Sequence, residues 1–300
     1  MAIALKGDFI GFSFNEHRSE SLGIVRVSDG SRYNEDLVPT TQDKTVQVPG
    51  GDGFYYFGSD YTQRQFSINI AFDELTEKQF RELQQVFGTK ELGKLIFDER
   101  PYKYYMVKSG KPQLKYICFG KEGERIYKGE GTLTFTAYYP FAKSIFKFLN
   151  EYGNKNKDEW KEASGMKAEK GTYDIVSNNG SISVYNAGDL ETDFILKFSL
   201  PVDNTPIGDI KITLSKENVG KVEAFLDLNG FSKKGADTGF QINTKTNLIE
   251  GFNAEGLTGT LYNENITQGD FFKIPPREEG LKISVTGATP IEIVYDYIYY

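Results

Sequence analysis

The chain has 300 residues, enough for one large or two ordinary domains, each with its own core. Its 39% hydrophobic, 26% charged and 14% aromatic residues fit a soluble globular chain rich in β-structure, and no run of about 18 apolar residues offers a membrane span. The net charge of −7 divides into +1 over residues 1–150, where 20 Lys and Arg face 19 Asp and Glu, and −8 over the rest; neither half is basic enough for a dedicated nucleic-acid binder.

The opening "MAIALKGDFIGF" lacks a basic stretch followed by a long apolar run, so no secretion signal is expected. "FNEHRSES" reads as a polar loop carrying the one histidine, His17. No Ser-His-Asp or Cys-His triad can be built without it, and one His and one Cys cannot supply a zinc cluster. The stretch "VPGGDGFYYFG" (Val48–Gly58) follows the run "KTVQVP". Glycine-rich loops cradle phosphate when a helix follows, because its N-terminus supplies the positive dipole. No helix follows here, so the glycines are expected to supply positive φ for a tight turn or bulge, with Asp52-Gly53 as hairpin chemistry.

"FSINIAF" (Phe66–Phe72) alternates Phe66, Ile68, Ile70 and Phe72 with small or polar residues, the period of a half-buried strand. One helix follows in "LTEKQFRELQQVFG". Thr76 and Gln79 have capping-box spacing, Phe80, Leu83 and Phe87 share one face, and Gly88 stands where a helix ends. "GTKELGKL" (88–95) imitates a P-loop, but Leu95 replaces the Ser or Thr that would hold magnesium, and the order is helix then strand, the reverse of a P-loop. Nucleotide binding is rejected there. "KLIFDE", "YKYYMVKS", "LKYICFG" and "GTLTFTAYY" read as strands joined by turns, with Cys118 expected as a small buried hydrophobe in a chain made in a reducing cytoplasm.

Residues 143–171 are rich in Lys, Glu and Asn and read as a connector, with a short helix at each end and the one tryptophan, Trp160, docked by packing rather than on sugar. From residue 172 to 300 short strands recur: "TYDIVSN", "SISVYN", "DFILKFSL", "DIKITLSK", "KVEAFLDL", "FQINTK", "GTLYN", "FFKIP", "LKISVTG" and "IEIVYDYIYY". With no helix signal between them, they suggest a β-sandwich or jelly roll. Glycoside hydrolysis needs two carboxylates at a set separation, and spacing singles out no pair. The fold class is mainly β, and no catalytic residue, metal or cofactor is expected.

The order of motifs over residues 1–142 resembles the distal tail protein family of long, flexible-tailed phages. The matching stretches are "SLGI" (Ser21–Ile24), "VPGGDG" (Val48–Gly53), "DYTQRQFSINIAF" with Arg64, "KLIFDERPYKYY" (Lys94–Tyr105) and "GEGTLTFTAYYPFAKS". The resemblance continues more loosely in "NAGDLETDFILKFSL" (Asn186–Leu200). It implies an N-terminal ring-forming domain (1–142) and a C-terminal galectin-like sandwich (172–300). It also implies a homo-hexameric ring at the tail tip, joining the tail tube protein to the tail-tip protein and to receptor-binding proteins. DNA passes through the channel without specific binding, and the protein ends in the virion after synthesis in the host cytoplasm. Its expected ring or tube interface is Val48, Pro49, Gly50, Gly51, Asp52, Gly53, Phe54, Tyr55, Tyr56 and Arg64. The aromatics of this stretch either meet a neighbouring subunit or pack within their own sheet. A carbohydrate-binding sandwich used in host-surface attachment is the alternative.

Overall fold

A computed structural model gives the fold and describes residues 11–27, 38–50, 52–121, 124–151, 179–201, 206–216, 222–278, 280–288 and 290–300. The chain divides into two compact units, Met1–Ile145 together with Tyr300, and Phe146–Tyr299.

The first unit opens on a tight hairpin of β1 (Phe12–Phe14) and β2 (His17–Arg18), turned by Asn15 and Glu16 at φ 48 and 69. His17 therefore lies on a short strand, and it is exposed. After β3 (Val25–Arg26) comes a second hairpin, β4 (Thr41–Val46) and β5 (Tyr55–Tyr61), which forms a two-stranded sheet of its own. The long strand β6 (Arg64–Thr76) leads directly into α1 (Glu77–Phe87), and β7 (Gly93–Phe97), β8 (Lys103–Ser109), β9 (Gln113–Phe119), β10 (Ile126–Ala137) and β11 (Ala142–Glu151) follow. β10 pairs antiparallel with β6 from Ile126–Thr76 to Ala137–Arg64, and its first half carries β9 on the other side.

The core follows from the period of two in β6, where Arg64, Phe66, Ile68, Ile70 and Phe72 are buried and Gln65, Ser67 and Asn69 are exposed. α1 covers that face with Phe80, Leu83 and Phe87. Phe14 stacks on Phe87 at 5.9 Å and meets Phe135 at 5.2 Å, while Phe80 stacks on Tyr127 at 4.3 Å. Each such side chain taken out of water contributes about 1.5–3 kcal/mol. The capping box forms as expected: Thr76 Oγ1 accepts from the Gln79 N–H at 3.3 Å, and Gln79 Oε1 accepts from the Thr76 N–H at 3.0 Å. Gly88 ends the helix for another reason than positive φ. Its φ is −86, and a Cβ there would run into the Gln84 carbonyl oxygen, to which its own N–H donates.

Two expectations for this unit are corrected. Cys118 is exposed, because β9 lies at the margin of its sheet. The start of the connector, expected as a helix, is the strand β11, whose Lys143 and Ser144 pair with Tyr104 and Lys103 of β8. The remainder of the connector, including Trp160 and its second expected helix, and the strand expected at "TYDIVSN" lie outside the described residues.

The second unit is two antiparallel sheets. Its strands are β12 (Asn179–Val184), β13 (Phe194–Ser199), β14 (Gly208–Lys216), β15 (Val222–Phe231), β16 (Gly239–Asn243), β17 (Leu248–Asn253), β18 (Gly256–Leu261), β19 (Ile266–Gly269), β20 (Leu281–Thr286) and β21 (Pro290–Tyr299). One sheet runs β12-β20-β14-β15-β19, and the other includes β18-β17-β16-β13-β21. They pack face to face through Phe231 of β15 on Phe240 of β16 at 4.3 Å, and Phe240 also stacks on its neighbour in the same sheet, Phe198, at 4.5 Å. "FFKIP" is not a strand; it contributes one bridge, Ile274 with Thr192. The strands β17 and β19 had no expectation attached to them.

Candidate interface in the first unit

The expected interface residues fall on the β4–β5 hairpin. Val46 pairs with Tyr55, so residues 47–54 form an eight-residue loop and not the tight Asp-Gly turn. Gly50 and Gly53 take φ 84 and 89, the left-handed conformation that favours glycine, and both face open space. Val48, Pro49 and Asp52 are exposed, and Gly51 lies outside the described residues. Asp43 pairs with Ser59 but Thr45 with Tyr56, so Phe57 and Gly58 together oppose Lys44 in a bulge, with Gly58 at φ 105.

Polar contacts hold the hairpin in shape. Ser59 donates to Asp43 at 2.5 Å, the Tyr56 hydroxyl meets Ser59 at 2.6 Å, and Lys44 pairs with Asp60 at 2.6 Å. At its base the Thr62 N–H donates to the Thr40 carbonyl at 2.8 Å, and the Tyr61 ring meets Phe141 edge-on at 4.9 Å. The "YPFA" element thus anchors a hairpin eighty residues earlier in the chain, about the separation a long antiparallel pairing allows. Nothing among the described residues covers the aromatics: Phe54, Tyr55, Tyr56 and Phe57 are between 63% and 67% exposed. Rings held out in water on both faces of a strand are the composition of an interface core. They do not pack within their own sheet.

Arg64 is separated from them. It begins β6, is 5% exposed, donates to the Tyr105 hydroxyl at 3.3 Å, and lies over the rings of Phe66 and Tyr105 at 5.4 and 5.3 Å. The resemblance placed it with the interface; the alternation of β6 turns it inward.

A second exposed apolar element of this unit, β9, was missed. Among the described residues it pairs only with β10, its far edge is open, and Ile117 is 64% exposed with Phe119 also exposed. The signal was present in "LKYICF", which is apolar on both faces where a strand packed on one face alternates.

Residues 23–137 match the family of the phage tail protein RIFT-related domain. Residues 23–137 are therefore similar to a phage tail domain. No curated protein matches the chain. Among solved structures, the first and second units together are similar to the SPP1 Dit protein, described as a paradigm of the hub adsorption apparatus in phages infecting Gram-positive bacteria. That likeness has a TM-score of 0.58 at 12% identity and covers 98% of this chain and 100% of that chain. The phage P2 baseplate in its activated conformation matches at TM-scores of 0.45 with Ca and 0.44 with Sr, both at 10% identity over 95% of this chain and 97% of that chain. The resemblance to distal tail proteins is borne out, and with it the mainly β fold. In such a tail domain the hairpin, not Arg64, carries the exposed chemistry.

Proposed function

We propose that this chain is the structural hub of a phage or phage-derived tail tip. Six copies close into a ring that joins the tail tube protein to the tail-tip protein and to receptor-binding proteins, and leave a channel for DNA. The first domain makes the ring, the stretch 143–171 connects, and the galectin-like second domain projects outward. The reading is carried by the β4–β5 hairpin, a two-stranded arm whose four consecutive aromatics have no cover among the described residues. An arm on one side of a subunit meeting a different patch on the next is a heterologous contact, the kind that closes into rings. The exposed residues of β6 are Gln65, Ser67, Asn69, Thr76 and the acidic Asp73 and Glu74, with no basic side chain among them, which suits a wall that lets a polyanion pass.

Light scattering coupled to size exclusion tests it. The wild-type chain is expected to run as a closed oligomer and the Phe57→Glu variant as a monomer with unchanged circular dichroism. A wild-type chain that stays monomeric at every concentration rejects the reading. The carbohydrate alternative has less support: Phe225, the exposed aromatic on the outer face of the five-stranded sheet, is covered by Lys211 at 5.1 Å, which itself pairs with Asp227 at 3.4 Å.

A further inference from the structure

The open edge of β9 is the second unfinished surface of the first unit. Natural sheets blunt such edges with short strands, Pro or inward-pointing charge, because an unpaired row of N–H and C=O groups recruits other chains. β9 runs seven residues from Gln113 to Phe119 without a proline. Each of its faces carries apolar side chains, with Gln113 and Lys115 sharing one of them. On one side stand Ile117 and Phe119; on the other a groove of about 330 Å³ opens between β9 and α1, lined by Phe80, Leu83, Phe87, Pro112, Leu114 and Tyr116. A strand added here gains backbone pairing from the edge and seats alternate side chains above and below it.

The β4–β5 hairpin has the matching form. Both of its outer edges are unpaired among the described residues, and "FYYF" puts rings on both faces of its second strand. Charge agrees as well. The hairpin and its loop, residues 41–61, hold Asp43, Asp52 and Asp60 against Lys44, whereas residues 108–121 hold Lys108, Lys111, Lys115 and Lys121 and no acidic residue. The hairpin cannot serve β9 in its own chain, where it forms a separate sheet. Resting on the reading of the hairpin as a subunit interface, we propose that β5 of one copy adds to the open edge of β9 in a second copy. Its rings occupy the α1–β9 groove on one face and cover Ile117 and Phe119 on the other.

Cysteine scanning in the full chain decides it. In a Cys118→Ser background, Tyr55, Phe57 and Ser59 are each replaced by Cys, and so, in separate preparations, are Lys115, Ile117 and Phe119. All these positions are exposed, so folding is retained, as circular dichroism verifies. Mixing one variant from each set and adding a short bismaleimide is expected to give a cross-linked dimer absent from every single-variant control. Lys111→Glu with Lys115→Glu is expected to shift the assembly toward monomer. If Phe57→Glu dissociates the oligomer but no 55–59 to 115–119 pair cross-links, and Cys introduced at Val27 beyond the opposite edge cross-links instead, β9 is not the acceptor although the hairpin remains the interface. If Phe57→Glu leaves the oligomer intact, both the acceptor and the hairpin reading fall.

Discussion

A guanidinium buried against two rings is costly to disturb, and Arg64 is such a group, lying over Phe66 and Tyr105. Arg64→Glu is therefore expected to unfold the first domain, with a loss of about 3 kcal/mol or more in chemical denaturation, because a reversed charge is left buried. A fold as stable as wild type with assembly alone impaired contradicts this placement. In the second unit Asp237, 1% exposed, accepts from the Tyr262 hydroxyl at 2.7 Å and the Thr258 hydroxyl at 2.6 Å. Burial first, and then the hydrogen bond to the Asp237 carboxylate, push the Tyr262 pKa from 10.0 up to about 12. A folded-state pKa above the unfolded one means that the neutral phenol contributes fully below pH 10 and that its contribution is lost as pH rises through about 12. Tyr262→Phe is expected to cost about 1–3 kcal/mol at neutral pH, since it leaves the Asp237 carboxylate short of a donor, and to flatten the alkaline loss of stability seen by thermal melts across that range. Little of this was legible in the sequence. Arg64 alternates with the buried Phe66 and Ile68, a sign that went unused when the resemblance placed it at the interface; Asp237 and Tyr262 are brought together only by the pairing of strands that neither residue's neighbours announce.

Where local chemistry and tertiary packing agree, whole elements were legible. β6 and α1 are the clearest: strict alternation up to Phe72, a Thr76–Gln79 box, then Phe80, Leu83 and Phe87 on one face. Thr76→Ala is expected to cost about 1 kcal/mol, measured by urea unfolding. β11 was misread because Ile145, Phe146, Phe148 and Leu149 are spaced for a helix face, while pairing with β8 sets the outcome. The β4–β5 hairpin was half legible. Its glycines marked a turn, but the eight-residue loop and the Phe57-Gly58 bulge depend on register, which a chain with rings on both faces does not fix by itself. For the same reason its substitutions should be silent in the monomer: Tyr55→Ser and Phe57→Glu are expected to leave stability within about 0.5 kcal/mol of wild type, while abolishing assembly. A large loss of monomer stability would place those rings in a core of their own chain.

At the scale of the molecule, a first half of nearly neutral charge is joined to an acidic second half, and the exposed apolar surface is concentrated in the first unit, on the hairpin and on β9. That distribution was visible in part as the charge split between the halves. The unfinished edges were not, because an open strand edge is a property of what fails to pair. The central claim is that this chain is a ring-forming hub, and it rests on the exposed hairpin meeting a patch on a second copy. The most direct test is the mass of the native protein in solution, by light scattering over a range of concentrations with negative-stain images of the same sample. A closed ring at six times the 33.9 kDa chain mass is predicted; a monomer throughout, or open filaments of no fixed mass, would contradict it.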